Sequence, residues 1–281
     1  MDESTSPLMS LFPPGWILAD GAWGTELQAR GMPASMPPDL ANIDRPGDVE
    51  AVARSYVEAG SQVILTNTFR SNRIALEPFG KADLARRLNR LGARISRSAE
   101  DAGVRVFGSI GPAGRLATPN ALRQAFREQA EALAEEGVDA LVCETFTDPI
   151  EAALAIEAAR STGLPVVASF AFVGGLEPER AGKLALDAGV DAVGANCIEP
   201  GAAQDLIRRL RAATGLPIWI KPNAGFPSFV EGLFFYPDVA DSFAASLTGW
   251  LEAGADFVGG CCGTSPGLIH TLSAHRPRGG R

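Results

Sequence analysis

Four stretches of the 281-residue chain repeat one phrase: EAGSQVILTN (58–67), EEGVDALVCE (135–144), DAGVDAVGAN (187–196) and EAGADFVGGC (252–261). Each begins as the end of a helix, passes a glycine, turns, and enters a short apolar run that ends in a polar or thiol side chain. Glycine just past a helix is an ordinary stop, because it takes left-handed backbone at no Cβ cost. An apolar run bounded in this way reads as a strand buried on both faces, as in a parallel sheet covered by helices.

The same rhythm extends along the chain. Strand-like runs fall at Trp16–Asp20, Gln62–Asn67, Val104–Ile110, Ala140–Glu144, Pro165–Phe170, Ala192–Asn196, Pro217–Lys221 and Asp256–Gly260. Helical periods lie between them, at 82–103, 121–138 and 204–215 among others; the first puts Leu84, Leu88, Leu91 and Ile95 at spacings of three and four. Gly60, Gly103, Gly137, Gly163, Gly215 and Gly254 stand at helix ends. Eight strands alternating with helices over this length predict one α/β domain, a (β/α)8 TIM barrel spanning 1–281. The competing architecture, an open doubly wound sheet, would carry a Gly-rich phosphate turn that is not evident here. The Pro-broken start, 1–14, and the basic end, 276–281, are expected to be loose.

Composition narrows the function. A net charge of −8 argues against a nucleic-acid or anionic-membrane partner. No apolar run approaches a membrane span, and the acidic N-terminus does not read as a signal peptide. Four cysteines are too few for a secreted disulfide scaffold, so a reducing, cytoplasmic setting is expected.

In such a barrel the chemistry sits at the carboxyl ends of the strands. Those ends read Asp20, Asn67, Gly111-Pro112, Cys143-Glu144, Asn196-Cys197, Lys221-Pro222-Asn223 and Cys261-Cys262. The stretch GGCCGT (259–264) sets two cysteines side by side, although a regular strand would send them to opposite faces. Gly259, Gly260 and Gly263 permit an irregular turn that lets both face one point. Cys197, at the end of the sixth strand, can reach the same point across the seventh. Three thiols there suit zinc with an open fourth position. Cys143 reads as buried filler. A Gly-rich eighth strand could instead hold phosphate, but thiols add nothing to that.

Asp20 and Glu144 could pair with an ammonium group. The GAWG turn, with Trp23 and Gly24, offers backbone N–H groups to a carboxylate, and the alternative role of Trp23 is to wall the pocket. An amino acid bearing a thiol fits this inventory. Asp20 could equally be a helix N-cap and Glu144 an ion-pair partner. His270 and His275 are assigned no role.

DGAWGTELQARG, TNTF, IGPAG, ETF, GANC, KPNAG and GGCCGT, in that order, resemble the homocysteine S-methyltransferase family over roughly Trp16 to His270. The resemblance implies zinc on Cys197, Cys261 and Cys262, with Asn196 lending a weak oxygen contact. It implies that the amino group of homocysteine meets Asp20 and Glu144, that its carboxylate meets amides around Trp23 and Gly24, and that Asn67 lies in the same substrate site. It implies methyl transfer to the homocysteine thiol, giving methionine. Thr145 stands where the betaine-using enzymes carry Tyr, which argues against betaine as donor. KPNAG and TNTF look closer to the methionine-synthase module. No folate or cobalamin domain is read in these residues. The donor is therefore expected to be a small molecule or a corrinoid protein acting in trans. A different thiol or selenol acceptor is the alternative.

Overall fold

The computed structural model describes residues 6–99, 101, 103–114, 117–230 and 233–276. Eight parallel strands form the barrel: β1 (Ile17–Leu18), β2 (Val63–Leu65), β3 (Arg105–Ile110), β4 (Ala140–Phe146), β5 (Val166–Phe170), β6 (Ala192–Asn196), β7 (Ile218–Lys221) and β8 (Phe257–Val258). Their order around the sheet is β1-β8-β7-β6-β5-β4-β3-β2. A parallel bridge between Ala19 and Val63 brings β1 back to β2. That bridge and the single continuous sheet make this a barrel and exclude the open doubly wound alternative.

The major helices alternate with the strands: α1 (Pro46–Glu58), α2 (Ala85–Ala99), α3 (Pro119–Glu135), α4 (Pro149–Arg160), α5 (Pro178–Asp187), α6 (Ala203–Thr214), α7 (Ala240–Glu252) and α8 (Pro266–Ser273). Thr118, Asp148 and Ser265 cap α3, α4 and α8 by accepting bonds from first-turn N–H groups, each followed by proline at a position that needs no donor. Gly215 ends α6 in left-handed backbone, and Gly60, Gly103, Gly137, Gly163 and Gly254 also have positive φ.

Helix α2 packs differently from its leucine spacing. Its buried face is Ala85, Leu88, Asn89, Gly92, Ala93, Ser96 and Ala99, while Leu91 and Ile95 lie toward its edge. The small residues allow close approach: a Cβ on Gly92 would lie 2.6 Å from Thr68 Cγ2.

The barrel axis is filled by aromatic rings. Phe107, Trp219 and Phe257 contact one another at centroid distances of 6.1 and 5.3 Å along the chain of three. Phe12 closes this cluster edge-on, 5.7 Å from Phe257 and 6.2 Å from Phe107. The start of the chain is therefore not loose as far as it is described. Leu8 is fully buried, Met9–Leu11 form a 3-10 turn, and Phe12 seats against the amino ends of β3 and β8. At the other end, Arg276 stacks over Trp16, 5.9 Å from its ring. Residues 1–5 and 277–281 lie outside the described residues. No described helix is long and apolar enough to cross a membrane.

One feature was not expected from the sequence. An antiparallel hairpin, Ser228–Val230 with Leu233–Phe235, interrupts the connection from β7 to α7 and delivers Tyr236 to the barrel mouth.

Candidate metal centre and ligand pocket

The pocket lies at the carboxyl ends of the strands and encloses about 290 Å³. Cys197, Cys261 and Cys262 line it, with one sulfur from each within 4.8 Å of the others. Cys197 Sγ is 2.9 Å from Cys261 Sγ and 3.9 Å from Cys262 Sγ. All four cysteines of the chain are unpaired.

Backbone irregularity produces this convergence. Cys197 takes left-handed backbone, φ 53°, which is uncommon outside glycine and turns its thiol off the line of β6. The Cys261-Cys262 turn is fastened on both sides. Gly260 N–H donates to Asp20 O, Cys261 N–H to Pro222 O, and Ala224 N–H to Cys262 O. Thr264 closes the turn with its N–H and Oγ1 on Cys261 O. Gly259 and Gly260 serve close approach: a Cβ would stand 2.7 Å from Asp20 O at the first and 2.3 Å from Thr264 Oγ1 at the second. Gly263 has φ 80°, and Tyr236 covers its open side.

A soft metal ion fits this donor set: three thiols, half-buried, on a turn braced by backbone bonds. Without a cation the three cannot all ionise. Hydrogen bonds from Cys197 and Cys261 hold the Cys262 thiol down to about 3, while the same sharing and burial drive the Cys197 thiol up. Burial, then the nearby thiols, pushes Tyr236 up to about 12.

Asn196 does not offer oxygen to the thiols. Its Oδ1 accepts from Thr145 N–H at 2.9 Å and Ser169 Oγ at 2.7 Å. A backbone N–H can only donate, so that partner fixes which end is oxygen. Nδ2 is left facing Thr145 Oγ1 and, at 3.8 Å, Cys261 Sγ. In this arrangement Asn196, expected to lend a weak contact to the metal, is a donor toward sulfur and a brace for Thr145.

Thr145 also has positive φ, 67°, unusual for a β-branched residue, and β4 slips register between Cys143 and Phe146. This bulge sets the aim of Glu144, whose Oε1 accepts from Ser109 Oγ at 2.5 Å. Burial raises the Glu144 carboxyl to about 7, against the pull of Lys221.

Asp20 was expected to meet an ammonium group. It is fully buried, and Glu144 and Lys221 line the pocket where Asp20 does not. Its Oδ2 accepts from Trp23 Nε1 and from Leu65 N–H, each at 2.7 Å. Its Oδ1 accepts from Lys221 Nζ. Asp20 is thus ion-paired with Lys221 within the chain. Nor does Asp20 cap the short helix Gly24–Ala29, which has no side-chain cap. Burial pulls the Lys221 ammonium down, but Asp20 and Glu144 together hold it above its ordinary value.

Trp23, Gly24 and Asn67 line the pocket. Asn67 spends its amide nitrogen on Pro38 O and Asn42 Oδ1, tying down the wall. Cys143 is buried away from the pocket, and burial raises its thiol strongly. His270 and His275 are exposed and do not line the pocket. Sequence reasoning missed Ser109, Ser169 and Tyr236, and gave Lys221 no role although it stands at a strand end.

Residues 17–275 match the family model described as homocysteine S-methyltransferase. The chain is 30% identical over 291 residues to the methionine synthase of Mycobacterium tuberculosis (strain ATCC 25618 / H37Rv), covering 92% of this chain and 24% of that protein. It thus spans about a quarter of the length of that relative. It is 28% identical to homocysteine S-methyltransferase 4 of Zea mays, covering 92% of this chain and 89% of the maize protein. The metallated crystal form of the homocysteine methyltransferase MmuM from Escherichia coli superposes with a TM-score of 0.81 at 26% identity, covering 96% of this chain and all of that one. With three thiols gathered at the mouth of a matching barrel, the chain belongs to the homocysteine S-methyltransferase family.

Proposed function

We propose that this chain binds zinc through Cys197, Cys261 and Cys262 and methylates the thiol of homocysteine to give methionine. The observation that carries this reading is the meeting of three unpaired thiols with a buried carboxyl, Glu144, in one pocket. Bound zinc supplies one thing, the deprotonation of an incoming thiol at neutral pH.

The residues do the remainder by placement. The three cysteines all face the pocket, so a fourth sulfur meets them from that side. Glu144 receives the ammonium group, which favours its ionised form although burial disfavours it. Asn196 Nδ2 directs a donor at Cys261 Sγ and so tempers its charge. The sulfur of homocysteine then attacks the methyl carbon in line. The new S–C bond forms as the donor–methyl bond breaks, and the donor leaves with that electron pair. No proton moves in this step, which agrees with a pocket lining that contains no histidine.

The donor is a small methyl compound or a corrinoid protein acting in trans, and three unpaired thiols favour the reducing cytoplasm. The test is methionine formation by zinc-loaded protein with homocysteine and, in turn, S-methylmethionine, adenosylmethionine, betaine and methylcobalamin. Turnover with at least one donor, abolished by Cys261→Ala, is expected. Full turnover by Cys261→Ala, or methylation of another thiol or a selenol in preference to homocysteine, would contradict the assignment.

A further inference from the structure

On the flank of the barrel, the outer face of α2 carries charge in a pattern that the helix itself disfavours. Arg86, Arg90 and Arg94 follow one another at spacings of four, so like charges stand in a single row, with Arg87 beside it. Arg86 and Arg87 also fall in the first turn, where the helix dipole opposes cations and where α2 has no acidic residue. The surrounding sequence is basic too. Residues 70–105 hold nine Lys and Arg against four Asp and Glu, in a chain of net charge −8. Local preferences overridden together in this way point to a surface kept for binding.

The four arginines, with Asp83 and Leu91, line an open groove of about 400 Å³ that shares no residue with the thiol pocket. One side of it is fastened to the end of α3. Arg86 pairs with Glu135. Arg90 Nε donates to Glu136 Oε1 at 2.5 Å, and Arg94 Nε and Nη2 donate to Glu136 Oε2 and Oε1 at 2.6 and 2.9 Å. The Glu136 side chain is only 10% exposed, and Arg94 and then Arg90 hold its carboxyl below the usual range. One sheltered carboxylate thus fixes two guanidinium heads side by side. The remaining N–H groups of Arg86 and Arg90 have no hydrogen-bond partner among the described residues. Arg87 is exposed and has no hydrogen bond or ion pair among them at all.

A guanidinium fork matches two oxygens of a carboxylate or a phosphate. One fork fills a carboxylate. Several forks along one groove call for more oxygens around one centre, which a tetrahedral phosphate supplies. The row from Arg86 to Arg94 spans about 12 Å, a length that suits one phosphate group better than the backbone of a polymer. We propose that the groove on α2 binds a phosphate monoester of a small molecule, held by Arg87 and by the free N–H groups of Arg86, Arg90 and Arg94.

Calorimetry on the zinc-loaded full chain at low salt tests this, with inorganic phosphate and glycerol phosphate as probes. Acetate and a single-stranded oligonucleotide are the comparisons. Both phosphates should bind at least about tenfold more tightly than acetate. Arg87→Glu reverses a charge that has no partner in the fold, and should weaken both phosphates at least about tenfold. Arg180→Glu, at an exposed position of α5, should leave them unchanged. A wild type that binds neither phosphate, or acetate as tightly, overturns the proposal without any variant. So does an Arg87→Glu variant with wild-type affinity, which would place the bound phosphate elsewhere on the chain. An oligonucleotide that binds more tightly than either phosphate, and is lost in Arg87→Glu, would make this a nucleic-acid face and overturn the small-molecule assignment.

Discussion

At the scale of single residues, Glu144 shows how the pocket trades stability for binding. Burial lifts its carboxyl from the ordinary 4.5 to about 7. Between those values the folded chain keeps a proton that the unfolded chain has released, so stability falls as pH rises through this window and the full cost is present above it. Glu144→Gln is therefore expected to stabilise the ligand-free fold at pH 8, by up to about 3 kcal/mol, with little effect at pH 4. Chemical denaturation at the two values measures this, and the same variant should bind homocysteine poorly. Equal or lower stability at pH 8 would show that Glu144 is not strained. Asn196 makes the opposite case. Asn196→Ala leaves Thr145 N–H and Ser169 Oγ without their acceptor and is expected to cost about 1–3 kcal/mol, read as a lowered denaturation midpoint. The thiols, Glu144 and the pocket positions of Trp23, Gly24 and Asn67 were legible in the sequence because each stands next to a strand end. The orientation of Asn196 and the capture of Asp20 by Lys221 were not. They depend on partners 51 and 201 residues away.

At the scale of elements, the cysteine turn works because glycine lets neighbours come close. Gly260→Ala would press a methyl against Thr264 Oγ1, the atom that holds Cys261 O. Zinc affinity should fall at least about tenfold in Gly260→Ala, while the Gly201→Ala control, at an open surface position, should be unchanged. Competition with a metal-binding dye reads both; equal affinities would mean that the turn tolerates the methyl. The first described segment is a second such element. Phe12 meets Phe107 and Phe257 edge-on, so Phe12→Ala should lose about 2–3 kcal/mol, seen as a lower Tm without loss of zinc. A Tm unchanged by Phe12→Ala would restore the view of this segment as a loose end. Proline and polar residues before Trp16 concealed the contact, since nothing local marks Phe12 as a plug. The hairpin that carries Tyr236 was hidden for a related reason: its strands pair only with each other and follow no barrel period.

At the scale of the whole molecule, the repeated helix–glycine–strand phrase fixed the architecture because every copy is buried by the same neighbours, a helix outside and strands on either side. β6 occupies the expected residues, and the other strands differ by a few residues at their ends, where twist and closure decide pairing. The barrel then collects the ends of β1, β2, β3, β4, β6, β7 and β8 around one pocket, which explains how residues spread from Gly21 to Cys262 form a single site. The central claim is that this site holds one zinc on three cysteines, and metal content tests it most directly. Mass spectrometry of protein purified under reducing conditions without added metal should find about one zinc per chain in the wild type and in Cys143→Ala, and almost none in Cys197→Ser. A folded wild type without zinc, or a Cys197→Ser variant that keeps its full complement, would contradict the account.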